Sequence, residues 1–346
     1  MRTVKPKKSA DRDEGAVLIM VALMMTMLLG IGALVIDLGA LYVEKRELQN
    51  GADAAALAIA QGCAGGNCGA PNAIAKQYVD LNARDGASGV AEVCGSPAPL
   101  AACSTAAPAG AAGATGWVKV ADVTQTSGGG NQVQFVLAPI MNSLTGATMR
   151  SSAVAAWGPL GSATVTPLIF SVCEYLEMGG TVSPPSFPAG QRNYIYFHGI
   201  GGSGEPGVGS CTGSPSGQDL PGGFGYLANT NCLATISAGG WVGVETGNSL
   251  PSSCNPAAWL NNEILIAIYD QERGSGSNGE YHVAGFVGLR VLDYKLGNDR
   301  SPGFGRCPEG NGNSSDCIYG EFTRFTTDGG GFGGSNFGSV AVKMVG

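Results

Sequence analysis

The feature that most constrains this chain is an uncharged apolar run near its N-terminus, from Ala16 to Ile36. An α-helix rises about 1.5 Å per residue, so about 20 apolar residues cross the roughly 30 Å hydrocarbon core of a bilayer. The run is that long, and a buried helix of a soluble protein is rarely apolar on every face over such a length. The sequence therefore predicts a transmembrane helix over 16–36.

The segment before this helix sets its direction. Residues 1–15 contain five Lys or Arg residues against three Asp or Glu, although the whole chain has a net charge of -7. Because basic flanks stay in the cytoplasm, we expect the N-terminus inside and everything after Asp37 outside. The alternative is a cleaved signal peptide, whose apolar region would span only about 7–15 residues before a small-residue cleavage site. No such site follows Ile36, so we expect a retained, single-pass anchor in the cell membrane.

The remainder of the chain is acidic, Gly-rich and poor in charge. Charged residues make up 13% of the sequence and Gly occupies 57 positions. Such a composition is typical of short strands and turns more than of surface helices. An acidic body also lacks the basic surface that nucleic acids require, so no nucleic-acid partner is expected.

Cysteine usage agrees with an exported body. None of the ten Cys forms a C-x-x-C pair, so paired zinc knuckles are not expected. Disulfides are the default in an oxidising compartment. Short spacing predicts three local pairs, namely Cys63–Cys68, Cys94–Cys103 and Cys307–Cys317. The partners of the other four stay open: Cys173, Cys211, Cys232 and Cys254.

The helix is expected to continue outside the membrane as a stalk over 37–61, which has no Pro and many helix formers. One apolar stripe runs along it, at positions 34, 38, 41, 45, 48, 52, 55 and 59, with Lys45 as the exception. This stripe packs either on the protein's own domain or on other protomers. The residues predicted to pack are Leu34, Leu38, Leu41 and Leu48.

A second candidate packing surface lies within the membrane. Ala22, Thr26 and Gly30 recur at every fourth position. Small residues at this spacing let the backbone of another helix approach closely. The sequence therefore predicts a small-residue ridge at which a partner helix packs.

An ordered series of polar residues follows the membrane helix in GALVIDLGALYVEKRELQNGADAAALAIAQG, residues 32–62. Over residues 15–61 the chain resembles the N-terminal Tad domain of the TadE/TadG-like proteins of bacterial Flp (Tad) pilus assembly, and a weaker resemblance covers 133–159. The motif positions are Asp37, Gly39, Tyr42, Leu48, Gln49, Asn50 and Asp53. The resemblance implies a membrane-anchored, pilin-like protein whose partners are the bilayer and other Tad pilus-assembly proteins or pilins. It implies no catalytic residue and no cofactor.

Two regions are predicted beyond the stalk. The first, 62–160, is a small α+β region with a helix over 72–84, a loop over 86–116, and three strands packed on the stalk over 117–124, 132–137 and 148–157. The second, 161–346, is a Cys-rich all-β domain with seven short strands. With 1–15 as a cytoplasmic tail, the predicted fold class is α+β: a long N-terminal transmembrane and stalk helix with a small β-sheet, followed by a disulfide-rich all-β domain.

The body offers few candidates for chemistry. Its two His residues, His198 and His282, limit catalysis or metal binding by imidazole. No Gly-x-Ser-x-Gly elbow follows the Gly-rich run after His198. The turns at 311–316 and 328–331 lack the spacing of a calcium-binding EF-hand loop, so no metal is expected. Acids that a glycosidase-like pair would need are present but cannot be placed: Glu245, Glu263, Asp270, Glu272 and Glu280.

We therefore expect a structural, non-enzymatic assembly protein on the bacterial surface. One rival is a surface-anchored binding module or adhesin of unknown ligand, which exposed aromatic residues on one face of the β domain would favour. Its candidate platform consists of Trp117, Trp157, Trp241 and Trp259. Another rival is a surface hydrolase, which two acids converging in a deep cleft, or His198, would favour.

Overall fold

The structure is a computed structural model of the chain. It describes residues 13–136, 139, 145–177, 180–182, 185–186, 192–196, 225–245, 250–274, 276–303, 305–307 and 316–346. Several predictions fall outside these residues: most of the cytoplasmic tail, His198, Cys211 and the turn at 311–315. Nothing is described of the Cys173 side chain.

One long helix forms the N-terminal part of the chain. Helix α1 runs over Asp13–Ala64 without a break, so the predicted membrane span and stalk are a single helix about 80 Å long. Within the described residues it is the one helix long and apolar enough to cross a membrane, with a mean hydropathy of 2.6 in its most apolar window. A shorter amphipathic helix, α2, follows at Pro71–Asn82.

Strands are the main regular structure in the rest of the described chain, which confirms the predicted fold class. The strands are β1 Ser88–Ser96, β2 Gly116–Thr124, β3 Val133–Gln134, β4 Gly146–Ala147, β5 Arg150–Pro159, β6 Ser162–Val165, β7 Ile169–Ser171, β8 Thr181–Val182, β9 Pro185–Ser186, β10 Arg192–Tyr196, β11 Ala234–Ser237, β12 Trp241–Gly243, β13 Glu263–Arg273, β14 Glu280–Leu296, β15 Asp299–Arg300, β16 Cys317–Thr323, β17 Phe325–Thr327, β18 Ser335–Asn336 and β19 Ser339–Met344. Short helical pieces are α3 Val172–Glu177 and the 3₁₀ turns Ala109–Ala111, Pro256–Trp259 and Gly276–Asn278.

The chain divides into two compact units. The first comprises Met1–Ala55, Asn72–Val93 and Val120–Ala153. It holds most of α1, nearly all of α2, and parts of three neighbouring strands in the order β1, β2, β5. Strands β3 and β4 form a separate antiparallel pair in this unit. The alternation of buried and partly exposed residues along β2 places one face of that strand in the core.

The second unit comprises Ala56–Pro71, Cys94–Lys119 and Val154–Gly346. In one of its sheets β19 pairs antiparallel with β5 and parallel with β17. In the other, β14 is the central strand of the order β10, β16, β14, β13, β7. Strand β14 is almost continuously buried because apolar clusters cover both of its faces, one with Val287 and Leu289 and the other with Tyr281 and Val283.

The loop predicted over 86–116 is partly wrong. Residues 88–96 form strand β1, and a 3₁₀ turn lies at Ala109–Ala111. The high Gly, Ala, Ser and Pro content predicts a loop, but hydrogen bonding to the neighbouring strand β2 overrides that local tendency. Gly95 fits this pairing because a Cβ there would meet the carbonyl oxygen of Trp117.

Candidate helix-packing surface and Tad motif

The N-terminal part of α1 leaves its apolar side chains uncovered. Leu29 is 71% exposed, and the predicted packing residues Leu34 and Leu38 are 61% and 54% exposed. Ala22 and Thr26 of the small-residue ridge are exposed as well, and Gly30 is half-buried. The Thr26 hydroxyl donates to the carbonyl oxygen of Leu23 at 2.9 Å, so this polar group is satisfied inside the helix and suits an apolar surrounding.

The stripe is covered by the chain itself farther along α1. Leu48 is 3% exposed and Ala52 and Ala55 are fully buried, whereas Leu41 is half-buried. Lys45, the polar exception in the stripe, also makes a contact within the first unit, because its Nζ donates to the carbonyl oxygen of Arg150 at 2.6 Å. The two halves of the stripe therefore differ: the N-terminal half is exposed, and the C-terminal half packs on the protein's own unit.

Asp37, the first residue of the motif, is buried together with Ala33, which lies one helical turn before it. Asp37 and Ala33 are each 6% exposed, although Val35 and Ile36 between them are 63% and 55% exposed. One carboxylate oxygen of Asp37, Oδ1, accepts a hydrogen bond from the backbone amide of Val136 at 2.9 Å. Asp37 thus joins the helix to the chain that leaves β3.

Gln49 connects α1 to the start of β5. Its Nε2 donates to Oδ1 of Asp53 at 2.7 Å and to the carbonyl oxygen of Ser152 at 3.4 Å. Its Oε1 accepts from the hydroxyl of Ser151 at 2.5 Å. Three of the motif residues, Asp37, Leu48 and Gln49, are therefore used by the fold of the first unit.

Three other motif residues face outward, whereas Asp53 is half-buried and binds Gln49. Gly39 and Asn50 are exposed, and Tyr42 is 64% exposed with the Arg46 guanidinium 5.9 Å from its ring centroid. An added Cβ on Gly39 would meet nothing within 4 Å. Because these positions follow each other at steps of three, four and four, Gly39, Tyr42, Arg46 and Asn50 lie on one face of α1, which we call the outer motif face.

Asp122 is a buried acid that the sequence analysis did not single out. It is fully buried, and neither carboxylate oxygen makes a hydrogen bond of standard geometry. Burial raises the pKa of Asp122 to about 7, although the backbone amides of Asp122 and Ser151 and the charge of Lys45 act in the opposite direction. Along β2 every second residue is buried, including Val118 and Val120, and Asp122 is the next position in this series. This alternation is the sequence signal that could have predicted its burial.

A second acid of this unit is perturbed in the same direction. Burial raises the pKa of Glu44, and the nearby charges of Glu47 and Asp85 add to the effect, whereas the Thr124 hydroxyl opposes it. Glu47 itself pairs with Arg84 at 3.2 Å. The first unit therefore holds its acids close together around α1.

Four disulfides are described in the second unit. The structure joins Cys63 to Cys68, Cys94 to Cys103 and Cys307 to Cys317, which are the three local pairs that spacing predicts. It also joins Cys232 to Cys254, a pair that spacing does not favour. The positive φ angles of Asn231 and Cys232 turn the chain sharply just before β11.

Most of the aromatic and acidic residues on which the binding-module and hydrolase predictions depend are buried or contact other side chains of the protein. Trp157 and Trp259 are buried, whereas Trp117 and Trp241 are half-buried. Arg273 stacks on Trp241, with its guanidinium carbon 4.0 Å from the ring centroid, and its Nε pairs with Glu280 at 2.6 Å.

Two further candidate acids of the second unit contact other residues. Asp270 contacts Nδ1 of His282 at 2.6 Å, and Glu263 accepts from the Thr323 hydroxyl at 2.5 Å. An open groove of about 520 Å³ is lined by Thr164, Ala228, Asn229, Thr230, Leu233, Ala234 and Thr235, with no acid among them. Among the described residues no three His, Cys, Asp or Glu side chains lie close enough to hold a metal ion.

Residues 15–62 match the family model described as putative Flp pilus-assembly TadE/G-like. The match covers α1 from the start of the apolar run to the end of the Ala-rich segment, and it confirms the resemblance seen in the motif. No curated protein and no solved structure matches the chain. The chain therefore carries a TadE/G-like N-terminal segment. Together with the apolar helix, this segment fits a membrane-anchored component of Flp pilus assembly.

Proposed function

We propose that the protein is a pilin-like, non-enzymatic component of Flp (Tad) pilus assembly, held in the membrane by α1 and packed there with partner helices. The observation that carries this proposal is that the segment matching the TadE/G-like family model, residues 15–62, has an exposed part and a buried part. Its N-terminal part, including Leu34 and Leu38, exposes apolar side chains, whereas Leu48 and the Ala-rich part are buried in the protein itself. Exposed apolar surface of this extent is typical of contact with lipid or other helices.

The proposed topology is a single pass with the N-terminus in the cytoplasm. Residues 1–15 form the cytoplasmic tail, 16–36 the transmembrane segment and 37–61 the stalk. The exported body consists of a small α+β region, 62–160, and a Cys-rich β domain, 161–346. The basic N-terminus supports this direction, and so do the disulfides, which persist in an oxidising compartment.

We assign the partner contact outside the membrane to the outer motif face. Gly39, Tyr42 and Asn50 belong to the motif, yet their side chains are exposed. Tyr and Arg are enriched in protein interfaces, and Gly39 lets another backbone approach closely. The partner is another Tad pilus-assembly protein or pilin.

The test is co-purification of the full-length protein with Tad pilus components from membranes. Tyr42→Ala should reduce recovery of those components by about tenfold, which corresponds to about 1.4 kcal/mol of lost contact, without changing the unfolding midpoint. Leu81→Ala is the matched control, because Leu81 is 71% exposed and belongs to α2, not to the motif. Equal recovery with both variants would contradict the assignment of this face.

The ridge within the membrane is tested separately. Gly30→Leu places a large side chain where Ala22, Thr26 and Gly30 should let a partner helix approach. Leu28→Ile, at a position that is 68% exposed, keeps the volume and serves as control. We expect loss of co-purification for Gly30→Leu alone, and an effect of both variants would point to the span in general.

A surface-anchored binding module is the second candidate function. The half-buried Trp241, flanked by Arg273 and by His282 with ring centroids 5.3 Å apart, favours it. A glycan screen of the full chain that shows Trp241→Ala losing a specific ligand would establish it. The hydrolase is less well supported, because Asp270 and Glu280 each pair with a basic residue in the described structure.

A further inference from the structure

We propose that the protein touches the membrane at a second place, where the chain leaves β3 at Val136, and that its partner there is the lipid surface beside the anchor. The proposal rests on the proposed membrane anchoring of α1. It concerns only the first unit, to which both α1 at this level and Val136 belong.

The contact between Asp37 and Val136 fixes the height of this chain on the helix. Asp37 is the first charged residue after the apolar run, and its Oδ1 accepts the amide of Val136 at 2.9 Å. Side chains on a helix lean toward its N-terminus and cover the preceding turn. The carboxylate of Asp37 therefore reaches back over the last turn of the predicted span and holds Val136 at that level.

The burial of Ala33 is an independent sign of the same depth. Ala33 lies one turn before Asp37 on the same face and is 6% exposed, whereas Leu34 next to it is 61% exposed. A residue of the predicted span is thus covered by the protein on this face only. The protein body consequently reaches past the end of the span, to the depth at which lipid headgroups and acyl chains meet.

The exposed side chain at this place suits lipid. Val136 is 69% exposed, and the sequence from Val123 to Met149 contains no Asp, Glu, Lys or Arg. A charge would be costly at the edge of the hydrocarbon region, whereas an apolar side chain is stabilised there. We choose lipid as the occupant because the backbone of Val136 binds Asp37, which directly follows Leu34, Val35 and Ile36, the exposed apolar residues that end the predicted span.

The experiment uses the full-length protein in phosphatidylcholine vesicles, with and without brominated acyl chains that quench indole fluorescence on contact. Val136→Trp places a reporter at the proposed contact. Leu81→Trp places one at a 71% exposed position on α2 of the same unit. The emission of the parent protein, with its four Trp, is subtracted from each.

We expect bromination to reduce the added emission of Val136→Trp at least twofold and to leave that of Leu81→Trp unchanged. Flotation of the same vesicles reports anchoring separately. A chain that floats while both reporters are quenched equally, or neither is quenched, overturns the second contact and leaves the anchor in place. A chain that does not float overturns both.

Discussion

A Cβ added to Gly51 of α1 would lie 3.4 Å from Oδ2 of Asp122 and 3.1 Å from the Cα of Val79. The missing side chain therefore lets α1 lie close to both β2 and α2. It also leaves a buried carboxyl group against the backbone of the helix. Both features can be tested by substitution.

Gly51→Ala should destabilise the first unit although Ala is the better helix former. The new methyl group is tighter against Val79 than ordinary contacts allow, and overpacking typically costs about 1–3 kcal/mol. This outweighs the gain of about 1 kcal/mol from helix propensity. Chemical denaturation of the full-length protein in detergent measures the net change.

Gly39→Ala is the matched control for this prediction. Nothing lies within 4 Å of a Cβ at Gly39, so the added methyl group causes no overpacking. The higher helix propensity of Ala should therefore stabilise the fold by about 0.5–1 kcal/mol. A Gly51→Ala variant as stable as Gly39→Ala would show that the approach of the helix is looser than described.

Asp122 should make the stability of the protein depend on pH. Burial raises the pKa of Asp122 to about 7 in the folded state, whereas the unfolded value is about 4. Between these values the folded state keeps a proton that the unfolded state has lost, so stability falls as pH rises through this window and levels off above it. Asp122→Asn should flatten this fall, which thermal unfolding midpoints at pH 4.5 and pH 8 would record.

Asp328→Asn provides the comparison for the pH experiment, because Asp328 is an exposed acid of the other unit. It should keep the fall of the parent protein. An Asp122→Asn variant with the same fall as the parent would assign the pH dependence to other groups, of which Glu44 is the first to examine.

Neighbouring motif residues should differ in their effect on stability. Gln49→Ala removes the hydrogen bonds to Asp53, Ser151 and Ser152 and should cost about 1–3 kcal/mol. Asn50→Ala, at an exposed position of the outer motif face, should change stability by less than about 0.5 kcal/mol. Denaturant midpoints of the two variants would separate these roles, and similar losses would refute the division of the motif into inner and outer faces.

The sequence predicts best where a single local property decides the structure. The uncharged run of 16–36 and the absence of Pro up to Gln61 suffice to predict α1 as one helix. Alternating or apolar runs predict β2, β13 and β14 closely, because burial of one or both strand faces imposes those patterns.

Contacts between distant residues could not be predicted. The apolar stripe runs through Leu34 and Leu38, yet the buried face at this level of α1 is that of Ala33 and Asp37, and Asp37 binds Val136 from far along the chain. Strand β1 depends in the same way on a partner strand. The outward packing of Leu34 and Leu38 stays a prediction, since it concerns helices of other proteins.

The two units are interleaved along the chain, and in the proposed topology this constrains the order of folding during export. The first unit cannot close until Ala153 has emerged, and the segments Ala56–Pro71 and Cys94–Lys119 of the second unit must wait longer still, for residues 154–346. The loops closed by Cys63–Cys68 and Cys94–Cys103 lie within these two segments of the second unit. Each can be oxidised as soon as its own segment has crossed the membrane, so the early pieces of the second unit can acquire their covalent links before the strands that will complete it have been made.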